Sequence, residues 1–181
     1  IIGGGMAYTF IKAQNGSIGK SLVEDDFLSL ALEILEKAKE KKVHIHLPVD
    51  AVCCKEFNND SPTKTRAINE IPNNEMGLDI GTESIKLFSD IIEKSALILW
   101  NGPMGVFEMN NFQIGTLSIA NAIVKATKNN AFSLIGGGEG VAAINLFKLA
   151  DKVSHVSTGG GAMLEYLEGK ELPGIKSIKS S

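Results

Sequence analysis

The stretch Ser133-Leu134-Ile135-Gly136-Gly137-Gly138-Glu139-Gly140-Val141-Ala142-Ala143 indicates the fold class of this sequence. A short apolar run ends in three glycines, and an alanine-rich run that favours a helix follows. This order predicts a buried strand that turns tightly into a helix. The start of such a helix offers unpaired backbone N–H groups and a positive dipole end, which suit an anion such as phosphate. A tight turn without a ligand is the simpler interpretation of a single stretch.

The same pattern recurs along the chain. Ile1-Ile2-Gly3-Gly4-Gly5-Met6-Ala7 has the same form, and so does Val153-Ser154-His155-Val156-Ser157-Thr158-Gly159-Gly160-Gly161-Ala162. A fourth turn, Leu97-Ile98-Leu99-Trp100-Asn101-Gly102-Pro103-Met104-Gly105, also ends an apolar run. Ligands of an open parallel α/β sheet bind outside the carboxyl ends of its strands. We therefore expect four glycine-rich strand ends to line one edge of one sheet.

Composition narrows the function classes. The 181 residues are 44% hydrophobic and 22% charged, with a net charge of −3, which fits a globular domain with its own core. The sequence contains no basic block of the kind that nucleic-acid or membrane-surface binding requires. No apolar run approaches the ~18 residues that span a bilayer. The cysteines, Cys53 and Cys54, are adjacent, and we expect two idle or buried thiols in a reducing compartment.

Helices and strands are predicted to alternate. The clearest helix is Glu24 to Lys42, whose apolar residues repeat at i, i+3 and i+4 and so form one stripe. Further helices are predicted at 82–94, with Thr82 as the capping residue, and at 114–128, 139–149 and 162–167. Strands are predicted at 1–2, 43–48, 96–100, 132–135 and 153–156, with a short strand near 63–68 and a turn at 76–81. The alternation predicts the α/β class, as a Rossmann-like three-layer α/β/α sandwich with a mainly parallel sheet.

Two local patterns resemble ligand-binding motifs but lack some of the residues that those motifs need. Gly19-Lys20-Ser21 ends like a phosphate-binding P-loop, but residue 14, where the first glycine belongs, is Gln14, and the segment follows a helix-like run. His44 and His46 alternate to one face of a predicted strand, yet no third ligand has suitable spacing, and we interpret them as polar-face histidines. Asp50 follows that strand at a position where functional carboxylates often lie.

Several motifs together resemble the C-terminal, nucleotide-binding domain of phosphoglycerate kinase. Besides the glycine turns they are Leu47-Pro48-Val49-Asp50, Gly77-Leu78-Asp79, Trp100-Asn101-Gly102-Pro103-Met104-Gly105-Val106-Phe107-Glu108, and Leu167-Glu168-Gly169-Lys170-Glu171-Leu172-Pro173-Gly174. The resemblance covers essentially residues 1–181 in the family's order. The block from Trp100 to Glu108 and the tail are its most specific parts.

The resemblance implies a kinase of glycolysis that passes a phosphoryl group reversibly between 1,3-bisphosphoglycerate and MgADP, giving 3-phosphoglycerate and MgATP. It implies Mg²⁺ as the cofactor, a cytoplasmic monomer, and an N-terminal domain of the same protein that binds 3-phosphoglycerate. Phosphoryl transfer depends mainly on positioning and charge stabilisation, so backbone N–H groups and Mg²⁺ can carry much of it.

The resemblance also implies roles for individual residues. A flat apolar slot for adenine would be formed by Gly3, Gly4, Gly77, Leu78 and Val106. Glu108 would accept hydrogen bonds from the ribose hydroxyls, because a carboxylate is an acceptor only.

The phosphates of the nucleotide would lie near Asn101. They would be held at a helix start by Gly137, Gly138, Glu139 and Gly140, and Glu139 would reach Mg²⁺. A second helix start at Gly159, Gly160 and Gly161 would point at the transferring group, so Gly138, Gly160 and Gly161 are the catalytic candidates.

Two features depart from the family pattern. The residues after the third glycine are normally Asp and then Ser or Thr, whereas this sequence has Glu139 and Gly140. Glutamate keeps the charge but adds a methylene, and we expect altered metal geometry and weaker nucleotide binding. The lysine-bearing Gly-Gly-Ala-Lys segment, expected upstream of Ile1, and the N-terminal domain are not in this sequence. We therefore expect an N-terminally truncated fold that binds nucleotide weakly and does not catalyse.

Two other functions fit parts of the sequence. Gly138-Glu139-Gly140-Val141-Ala142-Ala143 matches a dinucleotide-binding G-x-G-x-x-A fingerprint, although no acidic residue ends the next predicted strand at Ser157-Thr158-Gly159. The Glu139-Gly140 departure is also compatible with a nucleotide-binding regulatory domain that does not catalyse.

Overall fold

The computed structural model of the protein describes residues 1–157, 159–173 and 176. Its α-helices are α1 (Gly4–Ala13), α2 (Leu28–Glu40), α3 (Thr82–Ile92), α4 (Ile114–Lys128), α5 (Gly138–Leu146) and α6 (Gly160–Leu167). Its strands are β1 (Ser17–Ile18), β2 (Asp50–Cys54), β3 (Lys64–Ala67), β4 (Glu70–Ile71), β5 (Met76–Ile80), β6 (Leu97–Trp100), β7 (Phe132–Ile135) and β8 (His155–Val156). Thr158 and Gly174 of the tail motif lie outside the described residues.

The protein has the expected α/β architecture, with a parallel sheet in its C-terminal half. This sheet has the order β6-β7-β8, and Ile135 in the central strand pairs with Trp100 on one side and Val156 on the other. Helix α4 connects β6 to β7 and α5 connects β7 to β8. The carboxyl ends of the three strands therefore lie at one edge, which confirms the expectation for three of the four glycine-rich turns.

The glycine-rich turn at Gly3-Gly4-Gly5 does not follow a strand, contrary to the expectation. Ile1 and Ile2 are not a strand, and neither is the segment 43–48. The two segments run past one another and are joined by a hydrogen bond that the Ile2 N–H donates to the carbonyl of His46, at 3.0 Å. The strand begins instead at Asp50, beyond Pro48, because proline supplies no N–H to a ladder.

An antiparallel sheet, of order β3-β2-β5, was not anticipated. Met76 to Ile80, interpreted as a turn because of its glycines, form strand β5, which pairs with β2 across a register shift between Val52 and Cys53. The short strand β3 agrees with the one predicted near 63–68. Cys53 and Cys54 are both free and buried, as expected.

Helix α3 is capped from a distance. Thr82 is its first residue and makes no side-chain cap, contrary to the expectation. The carboxylate of Asp50 takes that role: it accepts the Ser84 N–H at 2.8 Å and the Glu83 N–H at 3.1 Å. Asp50 is therefore a buried structural group that joins the start of β2 to the start of α3.

The main core lies between the parallel sheet and helices α3 and α4. Its fully buried members include Phe88, Ile119, Ile123, Ile135 and Ile144. Helix α2 contributes little, since Ala31 is its one buried residue and Leu30 is 46% exposed, although the sequence pattern predicted a continuous apolar stripe there. In the described part of the chain, no helix combines the length and the apolar character that crossing a bilayer requires.

Candidate functional site

A cavity of about 520 Å³ opens between the start of α1, strand β5 and the loop that follows β6. Six of the residues singled out from the sequence line it: Gly4, Gly77, Leu78, Val106, Glu108 and Glu139. The Val106 N–H donates to the carbonyl of Leu78 at 2.8 Å, so a backbone hydrogen bond joins the loop after β6 to β5. The result is a slot with mostly apolar walls and two carboxylates at its rim.

Gly4 shapes one wall of this cavity. Its φ is +61°, a conformation that glycine adopts readily and other residues rarely do. A Cβ at this position would lie 2.8 Å from the carbonyl oxygen of Pro103. The start of α1 can therefore approach the loop after β6 only because residue 4 has no side chain.

Two of the expected residues lie next to this cavity rather than in it. Gly3 and Asn101 line a neighbouring cavity of about 570 Å³, and Pro103 and Met104 line both. The second cavity is bounded by the apolar residues of β6 and by His44 and His46. The two histidine rings stack 6.2 Å apart. Within the described ranges no three His, Cys, Asp or Glu side chains are grouped to hold a metal ion.

The remaining expected residues form a cluster at the carboxyl ends of β7 and β8. Gly137 has φ +70°, and a Cβ there would lie 2.8 Å from Oδ1 of Asn101. Gly140 lies against the backbone of Asn101 and Gly102, and Gly160 lies against Gly137. The structure thus brings together Asn101 and the starts of α5 and α6, as the strand order requires. Gly138 and Gly161 face open space.

The starts of helices α5 and α6 carry backbone N–H groups without hydrogen-bond partners. Neither α5 nor α6 has a side-chain cap. The first intrahelical bonds run from Val141 to Gly137 and from Met163 to Gly159, so the N–H groups of residues 138–140 and 160–162 have no partner among the residues described. The Gly159 N–H donates to Ser157 Oγ at 3.3 Å. Both ends therefore present free donors and a partial positive charge, which an anion would satisfy.

Charged side chains frame the cavity. Glu108 and Glu139 are exposed, and neither makes an ion pair with a residue in the described ranges. Glu139 is in the first turn of α5, where a carboxylate is favoured by the helix dipole. Lys20 is the one cationic residue among the described residues that line the cavity.

Asp79 was quoted as part of a motif but was given no role from the sequence. It is 2% exposed, and its carboxylate accepts the Gly115 N–H at 2.7 Å and the Ile80 N–H at 2.9 Å. Burial raises the pKa of Asp79 from 3.8 to about 7, although the two N–H groups act in the opposite direction. Through Gly115, Asp79 joins β5 to the start of α4. The next residue of α4, Thr116, accepts the Met104 N–H at 3.1 Å. Together they fix the loop that forms the cavity wall.

The fold and the site define an α/β protein in which an apolar cavity opens beside two uncapped helix starts, an arrangement typical of proteins that bind phosphorylated ligands. A family model described as phosphoglycerate kinase matches residues 1–170. The chain belongs to the phosphoglycerate kinase family.

Its similarity to individual members is high. A phosphoglycerate kinase of Porphyromonas gingivalis is 56% identical over 179 residues, which are 99% of this chain and 43% of the relative. That of Chloroherpeton thalassium is 51% identical and is covered to 46%. The solved structure of phosphoglycerate kinase from Coxiella burnetii matches with a TM-score of 0.93 and 44% identity, over 98% of this chain and 45% of that one. The chain therefore spans less than half the length of these relatives.

Proposed function

We propose that this chain is the nucleotide-binding, C-terminal domain of a phosphoglycerate kinase, which transfers a phosphoryl group reversibly between 1,3-bisphosphoglycerate and ADP. The observation that carries the proposal is the mostly apolar cavity beside the uncapped starts of α5 and α6. Family membership supports the kinase over a dinucleotide-binding module and over a regulatory domain without activity.

The base and the ribose take the part of the cavity between α1 and the loop after β6. The adenine ring lies against Gly4, Gly77, Leu78 and Val106, with Gly3 at the edge, because flat apolar walls suit the faces of a purine. Glu108, at the rim of the same cavity, accepts hydrogen bonds from the ribose hydroxyls.

The phosphates extend from the rim toward the helix starts. Glu139 lines the cavity and also belongs to the first turn of α5, so it connects the two parts of the site. The N–H groups at the start of α5 bind the phosphate tail beside Asn101. Those at Gly160 and Gly161 stabilise the transferring group, whose charge is spread over its oxygens in the transition state.

Mg²⁺ fits this donor set. The ion favours one or two carboxylates together with phosphate oxygens and water, and Glu139 is an unpaired, exposed carboxylate at the phosphate end of the cavity. Bound there with the nucleotide, Mg²⁺ would neutralise charge on the phosphates. Glu139 would hold the ion, and the helix starts would orient the phosphates around it.

The 3-phosphoglycerate would bind in the part of the relatives' length that this chain does not span. For this reason we propose that residues 1–181 bind nucleotide but do not catalyse the transfer without that N-terminal domain. We also propose a cytoplasmic location and a monomeric whole enzyme. Turnover by this chain alone in a coupled kinase assay would contradict the proposal that residues 1–181 do not catalyse the transfer by themselves.

The test is a calorimetric titration of the chain with MgADP, with NADH as the control ligand. We expect saturable MgADP binding that Glu108→Ala weakens at least about tenfold, since a charged hydrogen bond contributes roughly 1.5–3 kcal/mol. Glu33→Ala, which removes an exposed carboxylate on α2 that does not line the cavity, should bind as the wild type does. No binding of MgADP, or binding of NADH alone, would overturn the proposal.

A further inference from the structure

Tyr8 carries a polar group that nothing in the fold uses. It lies on α1, is 6% exposed, and lines the cavity of about 520 Å³. Its hydroxyl group makes no hydrogen bond with any residue in the described part of the chain. The neighbouring hydroxyl, that of Ser21, differs in this respect because it accepts the Gly77 N–H at 2.9 Å.

The position of the Tyr8 hydroxyl can be fixed from Gly77. A Cβ built on Gly77 would overlap the Tyr8 oxygen, and the ring carbon that bears the oxygen would be the next nearest atom, at 2.8 Å. The hydroxyl is therefore the part of the ring that meets β5, at the wall formed by Gly77 and Leu78. Glycine at residue 77 leaves the space that the hydroxyl occupies.

The hydroxyl also remains open to the cavity. Within the described residues, Trp100 Nε1 is the one side-chain polar atom that is both sealed from solvent and without a partner. The Tyr8 oxygen likewise has no partner and is not among the sealed atoms, so it reaches the open space of the cavity that its side chain lines. A partner for it must come from whatever enters that cavity.

The energetics favour such a partner. A largely buried hydroxyl without a hydrogen bond to the protein is unfavourable, and phenylalanine would fill the same space without that cost. Burial raises the pKa of Tyr8 further above its usual value, with Cys53 and Asp79 acting in the same direction. The phenol therefore stays protonated and can both donate and accept.

We propose that the Tyr8 hydroxyl hydrogen-bonds to the edge of the purine base and so contributes to the choice of base. This inference rests on the proposed nucleotide function. The wall around Tyr8 is formed by Gly4, Gly77 and Leu78, which contact the faces of the ring and cannot distinguish one base from another. The carboxylates of Glu108 and Glu139 lie at the rim and face the sugar and the phosphates. The Tyr8 hydroxyl, with the side chains of Lys20 and Ser21 in the same cavity, is thus a group that can read a ring nitrogen or an exocyclic amine.

The first test is Tyr8→Phe, which removes one oxygen atom. We expect the dissociation constant for MgADP, measured by calorimetry, to rise roughly three- to tenfold, the usual effect of one neutral hydrogen bond. The melting temperature without ligand should stay the same or rise, because the hydroxyl has no partner within the fold. The matched control is Tyr166→Phe, on the exposed face of α6, which should change neither quantity.

The second test identifies the atom of the base. The wild type and Tyr8→Phe are titrated with the 1-deaza, 3-deaza and 7-deaza analogues of ADP and with purine riboside diphosphate, which lacks the 6-amino group. One analogue should bind both proteins equally, because it lacks the atom that the hydroxyl contacts. An equal loss with every analogue would overturn base reading.

The outcomes separate this inference from the proposed function. Binding of MgADP by the wild type with unchanged binding by Tyr8→Phe would overturn the role of Tyr8 and leave the nucleotide site intact. A lower melting temperature for Tyr8→Phe without ligand would show a structural role and would also overturn it. Absence of MgADP binding by the wild type would instead contradict the proposed function itself.

Discussion

Gly160, at the start of α6, packs directly against Gly137, at the end of β7: a methyl group on Gly160 would lie 2.6 Å from the backbone nitrogen of Gly137. This contact sets the distance between the two helix starts that the proposed mechanism places around the phosphates. Gly160 cannot gain a side chain without separating α5 from α6, and a side chain on Gly137 would meet Asn101 instead.

Gly160→Ala should therefore lower both stability and nucleotide affinity. The methyl group displaces backbone rather than a flexible side chain, at a cost of about 1–3 kcal/mol. We expect MgADP affinity to fall at least about tenfold, because both helix starts must meet the phosphates at once. Gly159→Ala is the control, since a Cβ there meets no atom within 4 Å. Equal effects of the two substitutions in calorimetric titrations would contradict the assignment.

Glu139→Asp and Glu139→Gln separate charge from length. Aspartate retains the carboxylate and shortens the reach by one methylene, so MgADP affinity should be kept or improved. Glutamine removes the charge that holds Mg²⁺. The affinity of Glu139→Gln for ADP in the presence of Mg²⁺ should therefore become similar to its affinity after EDTA has removed the ion. Glu165→Gln on α6 is the control. A large loss of MgADP binding in Glu139→Asp would refute the role proposed for this carboxylate.

Asp79 should make stability depend on pH in a predictable direction. Its pKa is raised from 3.8 to about 7 in the folded state, so between these values the folded protein binds more protons than the unfolded chain. Stability from this group is therefore present at low pH and is lost as the pH rises through about 7.

Asp79→Asn removes that titration. It also loses one of the two accepted N–H bonds, but this loss is the same at every pH. The free energy of unfolding of Asp79→Asn minus that of the wild type should rise between pH 4 and 7, by about 2–4 kcal/mol at 1.36 kcal/mol per pKa unit. Urea titrations at several pH values measure it. The exposed Asp90→Asn on α3 should follow the wild type, and a flat difference for Asp79→Asn would contradict the prediction.

Asp50→Ala tests the remote cap of α3. The substitution leaves two backbone N–H groups without their carboxylate acceptor, so we expect the free energy of unfolding to fall by about 2–4 kcal/mol. Asp50→Asn keeps one oxygen acceptor and should lose less. MgADP affinity, measured below the melting transition, should stay within about twofold. A stability equal to that of the exposed Asp151→Ala control would show that the cap is not significant.

Leu97→Lys tests the free edge of the parallel sheet. Among the described residues, strand β6 pairs with β7 alone, and Leu97 on it is 73% exposed. This combination favours association between copies of this chain when it is studied by itself. Lysine should weaken self-association about tenfold, because burying an ammonium at an interface is costly. Sedimentation velocity across a concentration series measures the change. Leu32→Lys on α2, also exposed, is the control, and an equal effect would contradict a role for the strand edge.

The parallel half of the fold could be predicted closely from the sequence. The runs 132–135 and 114–128 coincide with β7 and α4, since strong apolar periodicity and glycine boundaries agree there. The same physics explains why three glycine-rich turns meet at one edge.

The antiparallel half was harder to predict because its pairing is not local. Met76 to Ile80 contain glycine and aspartate and suggest a turn, yet the ladder with β2 makes them a strand. Similarly, Val43 to Pro48 have strand composition but form no ladder with another strand among the described residues. The roles of Tyr8 and Asp79 depend on what surrounds a single polar atom, which composition and spacing do not encode.

Trp100 gives the protein an optical reporter. It is the sole tryptophan in the sequence, is 5% exposed, and lines the cavity bounded by β6 and residues 1–3. Its emission therefore comes from one defined place, and its indole nitrogen has no hydrogen-bond partner among the described residues to shift the spectrum. Any molecule that enters this second cavity should change the intensity or wavelength of that emission. Binding in that cavity can then be followed without any label.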